Sequence, residues 1–155
     1  MTDTGLDVPF VPTPRPIVRR MLEVAGTKPG ERLVDLGAGD GRIVIQAAQE
    51  FGARALGVEL HPDRFSLIQN SAFSLKPNLR AVRQSFFQTD LSNADIVTMY
   101  LLPSVNEALR KKLERELHSG ARVVTHDFSM PEWTPSRVEL IQGSKDLHVI
   151  YLYKI

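Results

Sequence analysis

The chain contains no cysteine. That single absence excludes disulfides, thiol nucleophiles, thiolate zinc sites and iron–sulfur clusters, and it fits a reducing compartment. Net charge is also nearly absent, since 19 basic residues against 18 acidic ones leave +1. Such a balance gives no broad electrostatic reason to expect nucleic acid or an anionic membrane as a partner. Long apolar runs are missing: no stretch approaches the roughly 18 apolar residues of a membrane span. The opening MTDTGLDVPFVPTPRP carries acids and prolines where a signal peptide needs a positive start and an apolar run. These absences lead to the expectation of a cytoplasmic, monomeric protein without a membrane segment. His61, His118 and His148 show no metal-ligand spacing, so no metal site is expected.

What is present suits one globular domain over residues 1–155, with an apolar fraction of 43% to build its core. Pro9, Pro12, Pro14 and Pro16 break up the start of the chain. Thr13 followed by Pro14 then reads as a helix start, with a hydroxyl cap and proline in the first turn. Ile17, Val18, Met21, Leu22 and Ala25 share one face of that helix. Strands are expected at 32–36, 53–59, 79–83, 95–102, 121–127, 137–142 and 147–154. Helices are expected at 42–51, 62–75 and 103–118, the last carrying Val105, Leu109, Leu113 and Leu117 on its inner face and a Glu107–Lys111 pair outside. Alternating strands and helices predict an α/β fold with a mostly parallel sheet covered on both faces. The connection between the last two strands is too short for a parallel crossover, so one strand near that end is expected to be antiparallel.

The informative segment is Asp35-Leu-Gly37-Ala38-Gly39-Asp40-Gly41-Arg42, placed between a strand and a helix. Glycines there let the backbone turn tightly and approach a ligand closely. The nucleotide fingerprint G-x-G-x-x-G would place its third glycine at position 42, which is Arg. Asp35, two residues before the first glycine, would repel a pyrophosphate and suits a cationic ligand group instead. S-adenosylmethionine carries an ammonium, a sulfonium and no phosphate. Glu59 closes the next strand, where an acid can take both hydroxyls of a ribose.

DLGAGDG followed by GVEL, which ends in Glu59 and Leu60, strongly resembles motif I and the post-motif acid of the class I S-adenosylmethionine-dependent methyltransferases. More narrowly, FVPTP at 10–14, DLGAGDGRIVIQAA, DIVTMYLLPSVNEALRKKLERELHSGARVV and THDFSMPEW resemble the small archaeal and bacterial protein-lysine methyltransferases of broad specificity. The mitochondrial lysine methyltransferases acting on the ATP synthase c-subunit and the adenine nucleotide translocase are relatives of that group. The resemblance implies a Rossmann-like, seven-stranded sheet and S-adenosyl-L-methionine as cofactor. It further implies that Gly37, Ala38 and Gly39, with the neighbouring Asp40 and Gly41, line the methionine portion. Glu59 and Leu60 would hold the ribose, and Thr13 and Pro14 would lie in a segment, within 1–13 and just beyond, that closes over the amino-acid end. Where the family offers an acid to adenine, this chain reads Gln84-Ser85-Phe86-Phe87, so Ser85 and Phe86 become the adenine candidates.

Methyl transfer from a sulfonium is an in-line displacement with a good leaving group, and alignment alone contributes about 7–11 kcal/mol. A lysine nucleophile, with a free pKa of about 10.4, must first lose a proton. Acceptor candidates sit at the carboxyl ends of strands. Tyr100 either packs as a buried strand tyrosine or joins the acceptor site. Trp133 either packs under its loop or helps form an aromatic cage for an alkylammonium. Asp127 either caps a turn or orients the amine. Strand alternation sets His126 and Asp127 on opposite faces, and Asp127 is taken as the one facing the site. Almost nothing is inserted between the core elements, so the site is expected to be open, as suits a lysine projecting from a protein substrate. Nucleic acid is disfavoured: the fourth strand ends in Tyr-Leu-Leu-Pro, not in the motif of base amino-group methyltransferases. The cluster Arg110, Lys111, Lys112 and Arg115 is interleaved with glutamates, as on a solvated face.

Overall fold

The computed structural model describes residues 10–155. Residues 1–9, with Pro9 and much of the segment expected to close over the cofactor, lie outside the described residues. The strands are β1 Arg32–Leu36, β2 Arg54–Val58, β3 Leu79–Val82, β4 Ile96–Met99, β5 Arg122–His126, β6 Arg137–Gln142 and β7 Leu147–Lys154. The helices are α1 Arg15–Val24, α2 Arg42–Phe51, α3 Pro62–Leu75 and α4 Pro103–Glu116. The strands form one seven-stranded sheet in the order β3-β2-β1-β4-β5-β7-β6. The first five run parallel, and β7 enters antiparallel to both β5 and β6. The expected architecture is therefore present, with the antiparallel member lying between β5 and β6.

Side-chain alternation along the strands separates two cores. On one face Leu33, Ala55, Leu79, Ile96, Val124 and Ile150 pack under α1, α2 and α3 through Ile17, Met21, Val44 and Ile68. On the other, Leu36, Val58, Val97, Met99, Val123 and Tyr153 pack under α4 through Leu109 and Leu113. Between β3 and β4 a single 3-10 turn, Phe86–Gln88, stands where an alternating pattern would put a full helix.

Two local expectations are corrected. The fourth strand ends at Met99, because Leu36, its partner in register, is the last residue of β1. Leu101 is apolar because it is buried beneath the glycine loop, not because it continues the ladder. The first helix is not capped by Thr13: Pro14 occupies the cap position without a side-chain hydrogen bond, and the Thr13 hydroxyl is engaged elsewhere. On α4, Glu107 pairs with Arg110 at 3.1 Å rather than with Lys111.

Close packing beneath the glycine loop fixes its height above the sheet. Gly57 in β2 lets Ala38, Val44 and Ile68 approach where a Cβ would meet each of them at 3.2–3.3 Å. Ile68 is fully buried there and also lies under Gly41. Ile68→Ala should lower stability by about 2–5 kcal/mol, the range for deleting a buried isoleucine whose surroundings cannot collapse. Denaturant unfolding of the two proteins checks this, and a difference under about 1 kcal/mol would mean the loop is not seated on that side chain.

Candidate active site

The glycine loop begins where β1 ends, and hydrogen bonds press it against β2. Gly37 N and Ala38 N both donate to Val58 O, at 3.0 and 2.8 Å. Gly39 N donates to Glu59 Oε1 at 2.7 Å. Gly37 and Gly39 have φ of +78° and +60°, a region that residues with a Cβ enter at a cost. Three of the loop's N–H groups are thus used within the protein, which leaves the loop poorly suited to cradle a phosphate.

Above it opens a cleft. Asp35, Gly37, Ala38, Gly39 and Asp40 form its floor; Glu59 and Leu60 close the β2 side; Phe86, Tyr100 and Leu101 supply apolar and aromatic walls. Phe10, Val11, Pro12 and Thr13 form the remaining wall.

Asp35 is 3% exposed. Its register partner in β4, Thr98, donates a hydroxyl hydrogen bond to Oδ1 at 2.8 Å. Burial pushes the carboxyl up to about 7 against that bond, with the charges of Glu59 and Asp40 adding to the rise. A cation placed beside it would favour the ionised form. Glu59 is buried with each oxygen already accepting one backbone N–H, Gly39 at 2.7 Å and His61 at 3.0 Å. A carboxylate oxygen has two lone pairs, so capacity for a diol remains.

Several residues that the motif did not mark complete the cleft. Arg42, the departure from the nucleotide fingerprint, forms an ion pair with Asp40 at 2.7 Å and donates to Thr13 O at 3.1 Å, tying the N-terminal segment to the loop. Phe10 lies against Gly39, and the Arg64 guanidinium stacks over its ring at 4.8 Å. Gln84 lines the cleft, whereas Ser85 does not; its hydroxyl oxygen accepts from Phe87 N at 3.2 Å and caps the 3-10 turn. Pro14 and Gly41 shape the backbone at the rim without lining the cleft.

The acceptor candidates separate. Tyr100 lines the cleft, and burial together with the charges of Asp127 and Asp146 raises its phenol pKa. Its ring packs on His126, with centroids 4.0 Å apart. Trp133 is not brought to the cleft: Nε1 donates to Glu114 at 2.7 Å, and the indole packs edge-on against Tyr153. Asp127 does not line it either. At φ +60° the chain leaves β5, and Oδ1 accepts from Val149 N at 3.0 Å. His126, the last residue of the strand, does not line it either, and its ring lies on the α1 side of the sheet. It is fully buried there, with Nδ1 3.0 Å from Thr13 Oγ1 and Nε2 2.8 Å from His148 Nδ1. Burial lowers the His126 pKa to about 4, so the ring is neutral near pH 7. The carboxylate of Asp127, His126 and His148 thus form a cluster that chain spacing did not show.

The raised Asp35 pKa has a sign. Between its ordinary value of 3.8 and about 7 the unfolded chain gives up this proton while the folded protein keeps it. The group therefore lowers stability progressively as pH rises through that window, on the order of a few kcal/mol in total. Asp35→Asn should flatten the stability-versus-pH curve of the ligand-free protein between pH 4 and pH 7 and raise its melting temperature near pH 8. Curves that stay parallel across the window would show that the carboxyl titrates normally.

A family model described as the ANTKMT methyltransferase domain matches residues 35–137. A protein-lysine N-methyltransferase of Saccharolobus islandicus is 43% identical over 154 residues, covering 96% of this chain and 94% of that protein. The mouse adenine nucleotide translocase lysine N-methyltransferase is 38% identical over 136 residues, and there the match spans 58% of the relative's length. Among solved structures, an RNA methyltransferase from Salinibacter ruber in complex with S-adenosyl-L-homocysteine superposes with a TM-score of 0.86 at 41% identity, covering 94% of each chain. The glycine loop, its acid pair and the strand order lie within a match that covers most of the molecule: the chain belongs to the ANTKMT methyltransferase family.

Proposed function

We propose that the protein is an S-adenosylmethionine-dependent methyltransferase acting on lysine side chains of other proteins. The observation that carries the cofactor assignment is the buried pair Asp35 and Glu59 on either side of a glycine loop whose N–H groups are already occupied. This arrangement favours a ligand with a cation at one end and a diol at the other. The lysine assignment is supported by the relative named a protein-lysine N-methyltransferase, which aligns over nearly the whole of both chains.

When bound, S-adenosylmethionine supplies an electrophilic methyl on a positively charged sulfur. Asp35 would meet the positive amino-acid end and Glu59 the ribose hydroxyls, while Phe86 and Leu101 offer an apolar wall for the base, beside Gln84. Tyr100 stands at the carboxyl end of β4 and would position the lysine nitrogen. A lysine amine held against Tyr100 would have to be neutral to accept that methyl, and its surplus proton would pass to water at the open mouth of the cleft. Alignment of nitrogen, carbon and sulfur by these walls is the main catalytic contribution.

The relative described as an RNA methyltransferase supports a second reading, RNA as the acceptor. Against it, three of the four basic residues of α4 are engaged: Arg110 with Glu107 and Glu114, Lys112 and Arg115 with Glu116. No helix among the described residues is long and apolar enough to cross a membrane. We infer a monomeric, cytoplasmic enzyme, as the charge balance and composition suggest.

The test is methyl incorporation from labelled S-adenosylmethionine into a protein extract and, in parallel, into total RNA. Label should appear in protein, at lysine by mass spectrometry. It should fall by about 100-fold or more in Gly39→Arg, which sets a long side chain against Phe10 and disturbs the alignment of the cleft. Label confined to RNA would refute the lysine assignment and leave the cofactor assignment standing.

A further inference from the structure

Two imidazoles and a carboxylate converge where β5 ends and β7 begins, behind the wall that Thr13 and Tyr100 give to the cleft. We propose that His126, Asp127 and His148 form a binding site for one divalent transition-metal ion of the zinc, cobalt or nickel class.

The three side chains each offer one ligand atom within 4.8 Å of the other two. His126 Nε2 and His148 Nδ1 are 2.8 Å apart. Asp127 Oδ1 lies 3.5 Å from His126 Nε2, and Oδ2 lies 3.9 Å from His148 Nδ1. Ligand atoms around a tetrahedral ion with bonds of about 2.0–2.1 Å stand about 3.3 Å apart. The two nitrogens need to spread by about half an ångström, and the carboxylate, whose two oxygens stand 3.5 and 3.9 Å from one nitrogen each, needs to turn so that one oxygen faces both.

The cluster is held from behind as ligands generally are. A proton on His126 Nδ1, donated to Thr13 Oγ1 at 3.0 Å, leaves the Nε2 lone pair facing His148 and Asp127. Asp127 has a left-handed backbone at φ +60°, fixed by its own N–H to Val149 O at 2.7 Å and by its carboxylate on Val149 N at 3.0 Å. A non-glycine residue in that conformation is strained, and such strain concentrates where a side chain must be aimed. The His148 ring rests on the hairpin turn at Gly143, where a Cβ would meet its ring atoms at 2.9 Å. Access is one-sided. His126 is fully buried, while the side chains of His148 and Asp127 are 12% and 29% exposed, so an ion can enter from solvent and keep water as a fourth ligand. Two imidazoles with one carboxylate select for zinc, cobalt or nickel over magnesium or calcium, which prefer all-oxygen shells.

An ion at this position would pin the end of β5 to the start of β7 directly behind Tyr100. This goes beyond the methyl-transfer reading and does not depend on it. The test is titration of the full chain with cobalt(II) and with zinc(II), followed by calorimetry and, for cobalt, by visible absorption. One ion per chain is expected, with cobalt bands of a four-coordinate site. His148→Ala and Asp127→Asn should each weaken binding by about tenfold or more. His118→Ala should not, although it removes another histidine–carboxylate contact, His118 with Asp95 at 3.1 Å. If His148→Ala fails to fold, by circular dichroism without metal, the isosteric Asp127→Asn decides. Equal, weak, multi-site binding in wild type and Asp127→Asn, or loss of binding only in His118→Ala, would reduce the cluster to a hydrogen-bonded histidine pair.

Discussion

Three backbone N–H groups of the glycine loop donate into the end of β2, and the cleft takes its form from those bonds. They can form only if the chain turns back sharply after Leu36, which the left-handed glycines at 37 and 39 permit. They also require helix and strand to come unusually close, which Gly57 allows and Ile68 fills. Their consequence is chemical. Donors that a nucleotide-binding loop turns toward phosphate are here directed into the protein. What remains facing the cleft is acidic, and a cationic ligand would meet Asp35 in an environment where its charge matters most, since little water reaches that carboxyl.

The N-terminal segment is joined to this floor from three directions. Arg42 reaches from the start of α2 to Thr13 O, and Asp40 steadies it. Phe10 lies between Gly39 and the Arg64 guanidinium. Thr13 shares a hydrogen bond with His126, whose ring also backs Tyr100. The side of the cleft that would meet the cofactor's amino-acid end and the side that would meet the acceptor therefore share one buried histidine. A displacement of His126 would be felt on both.

Much of this was legible in the chain. The bounds of β1, α2, α3, β6 and β7 follow from periodicity and from glycine and proline punctuation, and the structure places them where the pattern does. Motif I and Glu59 were legible because they are local: a strand, a turn and a helix start in consecutive residues, then an acid at the next strand end. Trp133 left two readings open because an aromatic on a loop carries no information about which core it joins; here it meets Tyr153 and Glu114. The apolar stretch 95–102 was overread as strand, since burial under a loop and burial in a sheet demand the same residues. Of the two adenine candidates, Phe86 lines the cleft together with Gln84, while Ser85 caps the 3-10 turn that follows it.

The chain by itself determined the fold class, the glycine loop and the acid pair, because each is encoded by neighbours in sequence whose backbone preferences and charges act at short range. Only the tertiary structure decided the surroundings of β5. His126 and His148 are 22 residues apart and meet because β7 returns antiparallel beside β5, in a register that puts both rings on the α1 face. Asp127 departs from strand alternation because its backbone turns left-handed at the end of the ladder. Register and the hand of a single turn depend on long-range packing, and no local pattern of residue types specifies them.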